Sequence, residues 1–137
     1  FDFINTEQVF EHIPNPLDTL KRLKSLLKKN GLIKISVPTA NNIEHRLKKM
    51  DWSAKKYTPM SLNVVSPLEH IQYFKRYSLV KMADRAGMSE VNISLFSQWI
   101  NSIGWLQPKR FIRNAFLPVY RNFLKKQNYI FLTSTKN

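Results

Sequence analysis

Phe1-Asp2-Phe3-Ile4-Asn5-Thr6, then Leu17-Asp18-Thr19-Leu20-Lys21-Arg22-Leu23-Lys24-Ser25-Leu26-Leu27, then Leu32-Ile33-Lys34-Ile35-Ser36-Val37-Pro38 are the three segments that decide the fold. The first is short and apolar and reads as a buried strand over 1–6. In the second, Leu17, Leu20, Leu23, Leu26 and Leu27 recur at helical spacing, with Lys21, Lys24 and Lys28 on the other face. Pro16 suits the first turn of that helix, where its missing N–H costs nothing. Lys28 and Lys29 complement the negative helix end, and Asn30-Gly31 is the expected stop. The third segment reads as a strand closed by Pro38. Strand, helix and strand joined by short links imply one crossover of a parallel α/β sheet over residues 1–38.

Downstream, Asn41 or Asn42 can cap a helix running to about Met50. Residues 39–77 are expected to form a lid or substrate-contacting region. The stretch from Asp51 to Ser66 holds Trp52, Tyr57 and Met60 without periodicity, and connections longer than about 12–15 residues tend to be functional. Ser78 is the expected N-cap of the next helix, with Leu79, Met82, Ala83 and Ala86 inward and Gly87 at its end. Val91, Ile93 and Leu95 alternate with polar residues as a strand would. Phe111, Phe116, Tyr120 and Phe123 belong to a helical stripe broken near Pro118. Tyr129 to Ser134 closes the chain as a strand. Residues 97–127 are expected to be a variable helical insertion before that strand.

Composition narrows the function. No cysteine is present among the 137 residues, so disulfides and thiolate metal sites are excluded. No apolar run approaches the roughly 20 residues needed to span a bilayer, and a cytoplasmic location is expected. The net charge of +13 suggests an anionic partner. The positive charges are scattered, however, so a nucleic-acid partner is not expected. Beyond Glu90 no acidic residue occurs, while Lys109, Arg110, Arg113, Arg121, Lys125 and Lys126 follow. That basic end makes a peripheral membrane contact through 108–126 conceivable.

Two segments carry chemistry-bearing side chains. Thr6-Glu7-Gln8-Val9-Phe10-Glu11-His12-Ile13 follows the first strand, and Pro67-Leu68-Glu69-His70-Ile71-Gln72-Tyr73-Phe74 precedes the Ser78 helix. Each contains a Glu-His dipeptide. The third histidine, His45, lies on a charged helix face and is expected to be exposed.

These segments resemble the downstream half of a class I S-adenosylmethionine-dependent methyltransferase. Phe1 to Ile13 is similar to that family's fourth strand and the turn after it. Leu26-Leu27-Lys28-Lys29-Asn30-Gly31 is similar to its helix-ending turn, with Asn30 in place of a glycine. Leu32 to Pro38 resembles its fifth strand. Glu69-His70 with Phe74, followed by Ser78-Leu79 and Ala86-Gly87-Met88, resembles a later signature. The resemblance covers residues 1–96 and, loosely, the last strand. It implies a Rossmann-like α/β sheet of order 3-2-1-4-5-7-6, of which strands 4, 5, 6 and 7 would be present, the last one antiparallel. It implies S-adenosylmethionine as cofactor and a small-molecule methyl acceptor. It places Asn5, Thr6 and Glu7 against the cofactor, at the carboxyl end of the first strand.

Three glycines, Gly31, Gly87 and Gly104, are too far apart to form a cofactor-cradling loop. The chain is therefore expected to be the carboxy-terminal part of a longer domain, and to bind cofactor poorly alone. His70 and His12 are the candidate bases for a hydroxyl acceptor. Some relatives bind a divalent metal through Glu-x-x-Glu-His. Here Gln8 occupies the first position of that motif, a poor ligand for a hard cation, so no metal is expected. Two other readings compete: a non-catalytic α/β module, and a basic domain that binds nucleic acid or a membrane surface.

Overall fold

The computed structural model describes residues 1–38, 43–49, 51–53, 61–62, 65, 69–94, 96–97 and 128–134. Among them are four strands, β1 (Phe3–Glu7), β2 (Leu32–Val37), β3 (Met88–Glu90) and β4 (Asn128–Ser134). Three α-helices accompany them: α1 (Pro16–Ser25), α2 (Ile43–Lys49) and α3 (Arg76–Arg85). The strands form one sheet of order β1-β2-β4-β3. β1 runs parallel to β2, with Phe3 opposite Leu32 and Glu7 opposite Ser36. β4 is antiparallel to both β2 and β3. The last strand therefore enters between two earlier ones. This is a mixed α/β sheet, and the crossover read from residues 1–38 is present as β1-α1-β2.

Alternation along the strands divides the sheet into two faces. Ile33, Ile35 and Val37 of β2, with Ile130 and Leu132 of β4, are buried on one face. Leu20 of α1 and Leu79, Met82 and Ala83 of α3 join them in the same core cluster. Each of the larger of these apolar side chains contributes about 1.5–3 kcal/mol by leaving water. The opposite face carries Glu7, Lys34, Tyr129 and Phe131. There Lys34 pairs with Glu7, and its ammonium lies 5.9 Å from the centroid of the Tyr129 ring. Tyr129 meets Phe131 edge-on at 5.7 Å.

Pro16 opens α1 as expected. The helix ends at Ser25, before Asn30-Gly31, and Leu26 is 53% exposed rather than inward. Strand pairing overrides the helical stripe here. The Lys28 amide donates to the Phe1 carbonyl at 2.9 Å, and the Leu32 amide donates to Asp2 at 3.0 Å. Those bonds align β2 with β1 and require the chain to leave the helix early. Asn30 makes the turn at φ 64, a left-handed conformation that Asn tolerates better than most residues.

Two other boundaries differ from the expectation. α3 begins at Arg76 with Lys75 as its cap, so Ser78 sits inside the first turn. The Leu79 amide bonds to the Lys75 carbonyl and closes that turn. The four expected inward residues, Leu79, Met82, Ala83 and Ala86, are all buried. β3 spans Met88–Glu90 rather than Val91 onward. Gly87, at φ 68, turns the chain straight from helix into sheet, and the fully buried Met88 takes the place opposite Ser134. The Val91 amide still bonds to the Phe131 carbonyl.

In the 39–77 region, α2 lies where a helix was expected, but its expected caps at Asn41 or Asn42 lie outside the described residues. So does most of the Asp51–Ser66 loop. The expected insertion over 97–127, its aromatic stripe and the 108–126 basic segment also lie outside them, apart from Ser97.

Candidate active site

At the carboxyl end of β1, Gln8 adopts φ 53. Its amide donates to the Ser36 carbonyl at the end of β2. This left-handed residue turns the chain sharply into a short 3-10 turn, Phe10–His12. Phe10 is fully buried and anchors the turn, while Glu11 is 1% exposed. His12 follows on the surface. Turns just beyond the carboxyl ends of parallel strands are where sheets of this kind bind their ligands.

The segment 69–73 folds back onto this turn. The Ile71 and Gln72 amides both donate to the Glu11 carbonyl, at 3.0 and 3.1 Å. The Gln72 side-chain amide donates to the carbonyls of Ile13 and Pro14, at 2.7 and 3.0 Å. His12 Nδ1 lies 2.6 Å from the Glu69 carbonyl oxygen. A carbonyl only accepts, so Nδ1 carries the proton and the neutral ring keeps its lone pair at Nε2. The rings of His12 and His70 lie 4.9 Å apart, tilted by 60°. His70 Nδ1 is 3.2 Å from the Tyr73 hydroxyl.

The electrostatics centre on Glu11. His12 Nε2 is 3.9 Å from Glu11 Oε1, beyond hydrogen-bond reach. Neither Glu11 carboxylate oxygen has a hydrogen-bond partner among the described residues. Burial pushes the Tyr73 phenol up to about 12, the negative charge of Glu11 adds to this, and Arg46 opposes it. Tyr73 is therefore a neutral hydroxyl beside His70 at physiological pH.

The structure thus brings His12 and His70, both read as candidate bases, into one cluster. It does not do the same for Asn5, Thr6 and Glu7. Asn5 and Glu7 are exposed on one face of β1, and Glu7 pairs with Lys34. Thr6 is 9% exposed on the other face, where its hydroxyl donates to the Lys34 carbonyl at 3.0 Å. For a bound cofactor, Asn5 and Glu7 offer polar groups, whereas the Thr6 hydroxyl is already used to tie β1 to β2. His45 is exposed, as expected.

Sequence reasoning missed Glu11, Gln72 and Tyr73. The available signal was the repeat of the dipeptide itself: Glu11-His12 and Glu69-His70 meet across the turn. Glu11, His12 and His70 each offer one ligand atom, and all three lie within 4.8 Å of one another.

No curated protein matches the chain. Among models of protein families, that of a methyltransferase domain matches residues 1–92. That span holds β1, α1, β2, α2, α3, β3 and both Glu-His segments, and covers well over half of the sequence. The chain belongs to the methyltransferase domain family.

Proposed function

We propose that the chain works as the carboxy-terminal part of an S-adenosylmethionine-dependent methyltransferase that acts on a small-molecule acceptor, with His70 and His12 at the acceptor side. The observation that carries this reading is the His12–His70 pair at the carboxyl ends of β1 and β2, within a chain of this family. On this reading β1, β2, β3 and β4 are strands 4, 5, 6 and 7 of the larger Rossmann-like sheet. The glycine-rich turn then comes from outside these residues.

S-adenosylmethionine supplies a methyl group on a sulfonium, made electrophilic by its positive charge. The protein has to place the acceptor in line with that methyl and receive the acceptor's proton. His12 has its Nδ1–H bound to the Glu69 carbonyl, so Nε2 is the atom that takes a proton. His70 is oriented by Tyr73, which stays a phenol and holds the ring by one hydrogen bond. Buried Glu11 stabilises the imidazolium that results, and Asn5 and Glu7 form the polar border toward the cofactor. Thr6 keeps β1 and β2 in register beneath them. A membrane-spanning role has no support in the described helices, none of which is long and apolar enough to cross a bilayer. On this reading the enzyme works in the cytoplasm.

The test uses the full polypeptide that carries these residues, with isotope-labelled S-adenosylmethionine and mixed small-molecule acceptors. Label should enter the small-molecule fraction, and His70→Ala should slow transfer while leaving cofactor affinity unchanged. Label in protein or nucleic acid instead would refute the small-molecule reading. The chain alone should show no calorimetric binding of S-adenosylmethionine at micromolar concentration.

A further inference from the structure

Resting on the methyltransferase reading, we infer that the acceptor taken at this site is a primary amine in its protonated form, held by the Glu11 carboxylate and the imidazoles of His12 and His70. One polar atom from each of the three residues lies within 4.8 Å of the other two. A primary ammonium directs three N–H donors at tetrahedral angles. With charge-assisted bonds of about 2.8 Å, its three acceptors sit about 4.6 Å apart. His12 Nε2 and Glu11 Oε1 are 3.9 Å apart, so opening that gap by about 0.7 Å seats the nitrogen between them. The His12 side chain is 44% exposed. It can pivot outward by that much on its Nδ1–H bond to the Glu69 carbonyl.

An independent observation points to a cation. Glu11 is 1% exposed, and both of its carboxylate oxygens lack a hydrogen-bond partner. Burying an unpaired carboxylate is costly, and water that meets its lone pairs brings no compensating charge. The backbone of Glu11 is held by the Ile71 and Gln72 amides, so the side chain stays in the turn. Arg46 donates to the Ser61 carbonyl and makes no hydrogen bond to Glu11. The negative charge is felt across the cluster: after burial, Glu11 is the next cause that raises Tyr73 to about 12. An ammonium supplies both what the carboxylate lacks, N–H donors and a positive charge.

The contact that recognises the ammonium also receives its proton. His12 donates Nδ1–H to the Glu69 carbonyl, so Nε2 holds the lone pair that accepts. As the amine's N–H bond breaks, its electron pair stays on the amine and the proton bonds to His12 Nε2. An imidazolium replaces the ammonium, and Glu11 faces one positive charge before and after. The neutral amine left behind is the nucleophile that methyl transfer requires. A neutral hydroxyl acceptor, by contrast, leaves the buried carboxylate without a charge partner until its own proton has moved.

The test needs no cofactor. The full polypeptide that carries these residues is titrated with n-propylammonium chloride at constant ionic strength. The imidazole NMR signals, assigned by single His→Gln variants, report binding. Saturable shifts in the millimolar range are expected at His12 and His70 and not at His45. Neutral n-propanol should bind at least tenfold more weakly, and so should tetramethylammonium, which has charge but no N–H donor. Glu11→Gln should weaken n-propylammonium binding at least tenfold in a protein whose circular dichroism matches the parent. If that variant does not fold, His12→Gln, altered at the surface, should weaken it likewise as read at His70. No saturable shift from n-propylammonium would overturn the inference. So would equal binding of n-propanol or tetramethylammonium, or binding undiminished in the variants. Any of these results leaves the methyltransferase reading standing, since label transfer tests that separately.

Discussion

His12 donates its Nδ1 proton to the carbonyl of Glu69, 57 residues further along the chain, at 2.6 Å. This bond and those of Gln72 sew the turn after β1 to the segment before α3. The two Glu-His dipeptides then sit side by side, with the buried Glu11 carboxylate beneath two imidazoles. Each half contributes groups that do little alone. Together they make a titratable, partly open cluster at the carboxyl end of the parallel strands.

Gln72 is the main side-chain clip, through its bonds to Ile13 and Pro14. Gln72→Ala should destabilise the chain by about 1–3 kcal/mol, because two hydrogen bonds are lost at once. Urea unfolding reads the change. Hydrogen exchange should show the Ile71 amide losing protection more than amides in β2. Equal loss in both would mean that Gln72 acts globally and not as a clip.

Gly31 and Gly87 should respond differently to substitution. A Cβ on Gly31 would lie 3.0 Å from the backbone oxygens of Lys28 and Phe1, which cannot yield without disturbing β1. Gly31→Ala should cost about 1–3 kcal/mol by overpacking. At Gly87 the nearest atom is the tip of Lys24, which can move, and the obstacle is φ of +68. Gly87→Ala should cost about 1–2 kcal/mol. Gly87→Asn should recover part of that, whereas Gly31→Asn should be worse than Gly31→Ala. Thermal denaturation of the four variants decides the matter.

Lys75 holds the Glu44 carboxyl below its ordinary range, by a hydrogen bond first and by charge second. With the folded value depressed, the unfolded chain takes up the proton first as pH falls. The stabilisation is present above the ordinary carboxylate value and is lost as pH drops through the folded value. Glu44→Gln should therefore lower the urea midpoint at neutral pH and leave it unchanged in strong acid. The difference should be small and should shrink further in salt, since the pair is solvent-exposed. A gap that persists in acid would assign the effect to packing.

Asn5→Ala and Glu7→Ala should each weaken cofactor binding to the full enzyme by about 1–3 kcal/mol, if each supplies a hydrogen bond to it. Glu7→Ala also strips the partner from Lys34, whose side chain is only 13% exposed. It should therefore lower stability, which Asn5→Ala should not. Thr6→Val should lower stability and spare affinity, because the Thr6 hydroxyl is committed to the Lys34 carbonyl. Calorimetry with S-adenosylmethionine, paired with a melting curve for each variant, separates the two effects. Unchanged affinity in both Asn5→Ala and Glu7→Ala would remove these residues from the cofactor's border.

The local chemistry of this chain is written in short-range spacing. Leucines at helical intervals after Pro16, the apolar run Leu32 to Val37, and the inward set Leu79, Met82, Ala83 and Ala86 each report their element without reference to the rest. Periodicity works there because helix and strand geometry act between neighbours a few residues apart. Boundaries were less legible where distant pairing competes with local propensity. α1 stops at Ser25 because Lys28 and Leu32 must bond to Phe1 and Asp2. β3 begins at Met88 because β4, from the far end of the chain, supplies its partner. The site lay further still from view. A glutamate beside a proline-rich turn is ordinarily solvated, and nothing in its neighbours says otherwise. Glu11 is buried because Ile71 and Gln72 close over its backbone, and His12 finds His70 only once that closure is made. Contacts between residues so far apart in the chain are set by which surfaces bury one another, and only the folded structure decides that.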